Sequence, residues 1–297
     1  MKKIITHGGA SHMDEFIAIC LLLAFMGRKF MDLTTIFRRD PTEEELNDPD
    51  VCVVDVGMRH EPHLMNFDHH QMEPSQGECA FTLVAKFLGV HDDMLDVFGW
   101  YKLAAIMDSQ GPGGVAKELG TDFNTVVRLW PSVVEHHILE LFAQTEIDMT
   151  DHPERPDDRT VREVLYGVGQ GIKDNLVEMR RRYEYLSAHV MPARAMDVKG
   201  MVLLRDDNEP ASPAGIDIYR RRCCPDAAFS VTPDDRGQGY ALYRYEDDPR
   251  LNFSRLDFDD RILFAHKGGF IAKTKEALDV DELLSLVADA VIPEEKR

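Results

Sequence analysis

Apolar and polar positions alternate along the first 110 residues in blocks that predict strands separated by helices. Ile4-Ile5-Thr6 is a short apolar strand ending at His7, and Gly8-Gly9 leads into a helix that opens near Ser11 to Asp14 and stops at Gly27. That helix is apolar on most faces, as required of one packed against a sheet. Two further strands follow at residues 33–37 and 51–55, the first closed by Arg38-Arg39-Asp40-Pro41. Continuous apolar strands separated by helical segments predict a parallel α/β sheet. Helices are then expected over residues 79–88, 96–107, 123–144 and 160–188, with Asp108 preceding a Gly111-Pro112-Gly113-Gly114 loop.

Beyond residue 190 the pattern changes. Met191-Pro192-Ala193-Arg194 ends the long helix, and short strand-like runs at 201–204, 227–231, 240–245 and 262–264 alternate with turn-rich connections before an amphipathic helix at 280–290. The expected organisation is an α/β domain over residues 1–190 and a smaller α+β domain over 191–297, with the active site in the cleft between them.

Composition narrows the classes of function. The net charge of -19, from 34 Lys plus Arg against 53 Asp plus Glu, opposes non-specific binding of long polyanions. Five cysteines without repeating spacing, among them the vicinal pair Cys223-Cys224, read as reduced thiols of a cytoplasmic protein. The opening Met1-Lys2-Lys3 lacks the apolar region of a signal peptide, and the run at 16–26 is too short to span a bilayer. Membrane association is not expected.

The candidate chemistry lies where strands end, because ligands of open α/β sheets collect outside the carboxyl ends of strands. His7, Arg38-Arg39 and Asp55 terminate strands, His12 and Asp14 open a helix, and Asp68-His69-His70 packs one carboxylate and two imidazoles together. Taken alone, that triplet is equally a polar loop with two solvated histidines. Joined to His7, His12, Asp14, Asp55 and Asp108, it forms a mixed set of carboxylates and imidazoles suited to divalent metals. A metal pair needs a bridging carboxylate, for which Asp55 is well placed. Arg38 and Arg39 either clamp phosphate or form a solvated turn. His136-His137, with no carboxylate partner evident in the neighbouring sequence, reads as a surface pair. Arg180-Arg181-Arg182 reads as a solvated face, and Arg220-Arg221-Arg222 as a possible backbone contact for nucleic acid.

The motifs Thr6-His7-Gly8-Gly9-Ala10-Ser11-His12-Met13-Asp14-Glu15, Val53-Val54-Asp55-Val56-Gly57 and Asp68-His69-His70-Gln71 resemble those of the DHH phosphoesterase superfamily. More closely they are similar to its melanocyte-proliferating-gene (MYG-type) exonuclease branch, which also has an Arg-Asp-Pro after its second strand and a segment like Phe264-Ala265-His266-Lys267-Gly268-Gly269-Phe270-Ile271. Gly8 and Met13 depart from the Asn and Cys typical of that branch. The resemblance implies two divalent ions, most readily Mn2+, one held by His7, His12 and Asp55 and the other by Asp14, Asp55, His69 and Asp108, with Asp55 bridging. It further implies that His70 meets the substrate phosphate or protonates a leaving oxygen, that Asp68 orients a histidine, and that His266, Lys267, Gly268 and Gly269 hold substrate.

The expected function is a metal-dependent phosphodiesterase acting on terminal or short nucleotide substrates through a two-metal-activated water, as a 3′-5′ exoribonuclease on short RNA. The alternatives are a pyrophosphate-type phosphoanhydride hydrolase, for which a stacking aromatic such as Phe270 would be superfluous, and a non-catalytic nucleotide sensor. A homodimer is compatible with the sequence.

Overall fold

The computed structural model describes residues 3–130, 132–144, 158–205 and 215–293. The chain divides into two compact units, Met1–Val177 and Glu178–Arg297. The division falls within a helix whose last residue, His189, is where the sequence changes character.

In the N-terminal unit, β1 (Lys3–Thr6) is followed by α1 (Met13–Met26), α2 (Arg28–Leu33), β2 (Thr35–Arg38), α3 (Glu43–Leu46) and β3 (Val51–Val54). Two two-residue strands, β4 (His60–Glu61) and β5 (Asn66–Phe67), complete a sheet of order β2-β1-β3-β5-β4. All pairs are parallel except β4 with β5. Every residue of α1 from Asp14 through Ala24 is buried, so the helix is enclosed on all sides and carries no solvent-facing stripe. Gly27, at φ 91°, ends it in a conformation that residues with a Cβ rarely adopt.

Helices complete the unit: α4 (Ala80–Phe87), α5 (His91–Val97), α6 (Gly99–Leu119), α7 (Phe123–Leu129), α8 (Val133–Gln144) and α9 (Asp158–His189), the last continuing into the second unit. Three expectations are corrected here. The helix expected at 96–107 is two helices that meet at Phe98, since α6 begins only at Gly99. The Gly111-Pro112-Gly113-Gly114 stretch is not a loop: Gly111, at φ 69° and ψ -173°, kinks α6 at the residue before the proline, and the helix resumes. The helix expected at 123–144 is likewise two, because Trp130 takes extended backbone dihedrals ahead of Pro131.

The second unit contains β6 (Val190–Ala195), β7 (Val198–Leu203), α10 (Ile216–Cys223), β8 (Phe229–Pro233), β9 (Tyr240–Arg244), β10 (Ile262–Ala265), β11 (Ile271–Thr274) and α11 (Val280–Ala290). Its sheet runs β10-β11-β9-β8-β7-β6 and is antiparallel apart from β7 with β8. The residues after the long helix thus begin a strand rather than a connection. Strand alternation sends Met201 and Leu203 to a core with Leu186 and Tyr219, and Val202 to a core with Leu283, Leu286 and Val287 of α11. Among the described residues no helix is long and apolar enough to cross a membrane. The five cysteines are free thiols.

Candidate metal centre

Sheet register brings the candidate ligands together. Thr6 pairs with Val54, and Val54 with Phe67, so the residues that follow them, His7, Asp55 and Asp68, leave three adjacent strands at one level. The N-terminus of α1 adds His12, Asp14 and Glu15, and α6 adds Asp108 one turn before its kink. Asp55 leaves β3 at φ 58°, in the left-handed region, while its N–H still donates to the Phe67 carbonyl at 3.0 Å. Aspartate tolerates that conformation better than most residues, and such strain collects at functional sites.

The two carboxylate oxygens of Asp55 face different partners. Oδ2 lies 3.4 Å from His7 Nε2, and Oδ1 lies 3.3 Å from His69 Nε2. His69 Nε2 is also 3.1 Å from Asp108 Oδ2 and 3.6 Å from Asp14 Oδ2. Donor atoms converge in three groups: His7, His12, Glu15 and Asp55; Asp55, His69 and His70; and His12, Asp14 and Asp108. Both oxygens of Asp14, Asp55 Oδ1, Asp108 Oδ2 and His7 Nε2 are buried without a hydrogen-bond partner. Buried polar atoms are rarely left so, and their number in one small space fits divalent cations with mixed oxygen and nitrogen ligands.

Asp68 is buried and serves the loop rather than the ligand cluster. It accepts from the Met58 N–H at 2.6 Å and the His70 N–H at 3.1 Å, and its Oδ1 lies 2.7 Å from His70 Nδ1. A carboxylate only accepts, so His70 Nδ1 carries the hydrogen in this pair. Its imidazole is thereby oriented while its side chain stays half exposed, at 52%.

The close carboxylates and imidazoles shift one another's pKa values. His7 is pushed up to about 10, by Asp55 first and Glu15 next, against the opposing effect of burial. Burial, reinforced by Asp55 and Asp108, holds Asp14 well above the usual carboxylate range. Burial and Asp55 also raise Asp108, with His69 opposing. Burial disfavours charge on His69, but Asp55 and Asp108 outweigh it and leave that imidazole raised. For Asp55 itself, burial is outweighed by His69 and His7, which keep it ionised.

These directions set a pH dependence. A group whose pKa is raised on folding stabilises the folded chain below its unfolded pKa and loses that contribution as pH rises through the folded value. For His7 the window runs from 6.5 to about 10, and the raised Asp14 and Asp108 act with the same sign. The metal-free chain is therefore expected to melt at lower temperature as pH rises from 6.5 to 8.5, and the stabilisation given by saturating Mn2+ to grow over that range. Thermal melts with and without Mn2+ under nitrogen check this; an Mn2+ effect independent of pH would contradict it.

Other candidates lie elsewhere. The Arg38 side chain is 1% exposed, donates to the carbonyls of Gly9 and Ala10, lies 3.5 Å from Glu15 and stacks over Phe142. It braces the loop between His7 and His12 from inside and is no solvated turn. Arg39 directs its fork to Glu45 at 2.7 and 2.8 Å. His266, Lys267, Gly268 and Gly269 form the turn between β10 and β11, in which the Gly269 N–H donates to the His266 carbonyl at 2.8 Å. Gly269 has φ 70°, and a Cβ there would stand 2.0 Å from Asn252 Oδ1, so local packing alone requires glycine.

His136 and His137 are exposed as expected, but Glu140 lies 3.3 and 3.8 Å from them, one turn along the same helix. Arg181 and Arg182 pair with Glu178 on a solvated face. Arg220 is buried against Tyr245 and paired with Glu246, which removes it as a backbone contact for nucleic acid.

Glu15 was not anticipated as a site residue. It is fully buried, accepts from Ser11 Oγ at 2.8 Å and from the His12 N–H at 2.9 Å, and lies 3.5 Å from His7 Nε2. Its place beside Asp14 in the first helical turn reads in sequence as a favourable dipole interaction, which hides the second role.

Comparison with curated proteins finds no match. Among solved structures, the pGpG-specific phosphodiesterase PggH from Vibrio cholerae is similar at 13% identity and a TM-score of 0.29, over 97% of this chain and 99% of that one. A likeness so distant carries no argument about function. Residues 3–80 match the model of the MYG1 exonuclease family, described as uncharacterised protein family UPF0160. The family match and the ligand cluster together support a phosphoesterase. Over residues 3–80, where every expected ligand but Asp108 lies, the chain carries the pattern of the MYG1 exonuclease family, a DHH-like phosphoesterase family.

Proposed function

We propose that this protein is a phosphodiesterase dependent on two divalent ions, most readily Mn2+, that hydrolyses short or terminal nucleotide phosphodiesters, with short RNA cut from its 3′ end as the leading substrate. The observation that carries the reading is the division of the Asp55 carboxylate, with one oxygen toward His7 and the other toward His69, amid orphaned oxygens of Asp14 and Asp108. His7, His12 and Asp55, with Glu15 behind them, would hold one ion; Asp14, Asp55, His69 and Asp108 the other. Such a pair supplies an acidified water and neutralises charge on a phosphoryl group.

The chain's own groups do the rest. Asp68 fixes His70 through Nδ1 and leaves Nε2 facing outward, where the doubly protonated imidazole would donate to a phosphate oxygen or give its Nε2 proton to the departing oxygen. Arg38 holds the Gly9-Ala10 backbone, and with it the spacing of His7 and His12. In the C-terminal unit we assign substrate holding to the exposed Lys267 beside His266, and a homodimer remains compatible with this reading.

Purified protein with Mn2+ should release mononucleotides from the 3′ end of 5′-labelled RNA of two to five residues and should release little phosphate from pyrophosphate. Turnover of pyrophosphate alone would replace the phosphodiesterase with a phosphoanhydride hydrolase. Nucleotide binding without turnover under Mn2+, Co2+ or Mg2+ would make the protein a sensor.

A further inference from the structure

Beside the metal centre, and sharing His12, Asp14 and Asp108 with it, lies a cavity of about 620 Å³. The volume is within the range of small-molecule sites, roughly 300–1,000 Å³, and larger than a phosphate needs. Its walls are mostly apolar: Met107 and Ala104 from α6, Leu139 and Ala143 from α8, and the indole of Trp130. Trp130 is held where α7 ends, its backbone N–H donating to the Val126 carbonyl at 3.0 Å, and its ring packs against the N-terminal core. Glu135, His136 and Glu140 also line it, with Glu140 3.3 Å from His136.

Two smaller cavities, of about 280 and 360 Å³, meet the same ligands from the side of His69 and His70 and from the side of His7. Among the described residues lining the three there is no lysine or arginine. Beyond the metals, an anion larger than one phosphoryl group would find only imidazoles, among them His136 in the large cavity, where it would also meet the carboxylates of Glu135 and Glu140.

We propose that the large cavity is a nucleoside subsite, which takes the base of a nucleotide whose phosphate lies at the metal centre, with the base against Trp130. This rests on the phosphodiesterase reading and deepens it by assigning the organic part of the substrate. The apolar wall and the indole suit a flat heterocycle, since every base presents a π-face. Glu135 and Glu140 supply acceptors for exocyclic amines or sugar hydroxyls and repel a second phosphate, so compact polyphosphates are poor occupants. Recognition is by stacking and shape, and all four bases are admitted.

The test compares the dinucleotide pApA with its abasic counterpart, in which both bases are replaced by hydrogen. The full-length wild-type chain with Mn2+ should show a KM for pApA lower by about tenfold or more, the scale of one stacked base. In Trp130→Ala that ratio should collapse toward one, and Trp130→Phe should largely restore it. Equal KM values in the wild type, or an unchanged ratio in Trp130→Ala, would overturn the subsite. A second measurement guards against misfolding of the alanine variant. The protein has two tryptophans, so Trp100→Phe isolates Trp130, whose fluorescence should be quenched saturably by AMP. Absence of quenching overturns the subsite. Failure to cleave either dinucleotide would instead refute the hydrolase, and the quenching would still decide the subsite.

Discussion

Asp55→Ala is expected to lower metal-dependent hydrolysis at least about a thousandfold, the upper range for losing one preorganised electrostatic partner. The effect should be this large because one carboxylate serves both halves of the centre, with Oδ2 at 3.4 Å from His7 and Oδ1 at 3.3 Å from His69. In the proposed two-ion centre its loss would leave the ions without the carboxylate that screens them from each other. Asp55→Asn is the informative companion, since asparagine also tolerates φ 58° and keeps the shape while removing the charge. Both variants should retain the wild-type circular dichroism and bind fewer than two Mn2+ per chain by plasma mass spectrometry. Two tightly bound ions in a variant that still turns over would show that Asp55 is not the bridge.

The largest effect on stability is expected far from the chemistry, at Gly169. A Cβ there would lie 1.9 Å from the carbonyl oxygen of Cys20 and 2.6 Å from its carbonyl carbon, so the α9 and α1 backbones would have to separate. Alanine gains about 1 kcal/mol of helix propensity over glycine. Overpacking by one methyl commonly costs about 1–3 kcal/mol, and more where the obstacle is backbone with no rotamer to yield. Gly169→Ala should therefore be destabilised by more than about 3 kcal/mol in urea unfolding. Gly171→Ala, two residues on with nothing within 4 Å of the added Cβ, should match or exceed the wild type. Equal midpoints for the two variants would show that the helices are not in this contact.

Where hydrophobic pattern and position agreed, the sequence was readable. The three longer strands of the N-terminal sheet, α1 with its glycine stop, the terminal α11, and the placing of His7 and Asp55 at strand ends all follow from apolar runs bounded by polar residues. What escaped lacked a periodic signal. Asn66-Phe67 and His60-Glu61 are too short to alternate, yet β5 is the strand that delivers Asp68 beside Asp55. Gly111-Pro112-Gly113-Gly114 has turn chemistry, but the helix resumes after a single kinked residue.

Charge misled in a different way. Arg38 and Arg220 read as solvated or ligand-seeking, while both are buried against aromatic rings and neighbouring carboxylates. Glu15 was masked by Asp14, whose place in the helical turn explains both carboxylates without any reference to a site. Long-range partners decide the role of such residues, and a linear string of residues holds no record of them.

The enclosure of α1 bears on how the molecule can come into being. Five of the expected ligands precede residue 80, yet the helix that presents His12 and Asp14 exposes no face on which a shorter chain could end. Its apolar sides are closed by α4, α6, α8 and, through Gly169, by α9. During synthesis the amino-terminal third is therefore expected to keep apolar surface uncovered until some ninety further residues have emerged, the order of magnitude set by the distance from 80 to 169. The centre is written early in the chain and becomes competent late, which ties its chemistry to completion of the whole N-terminal unit.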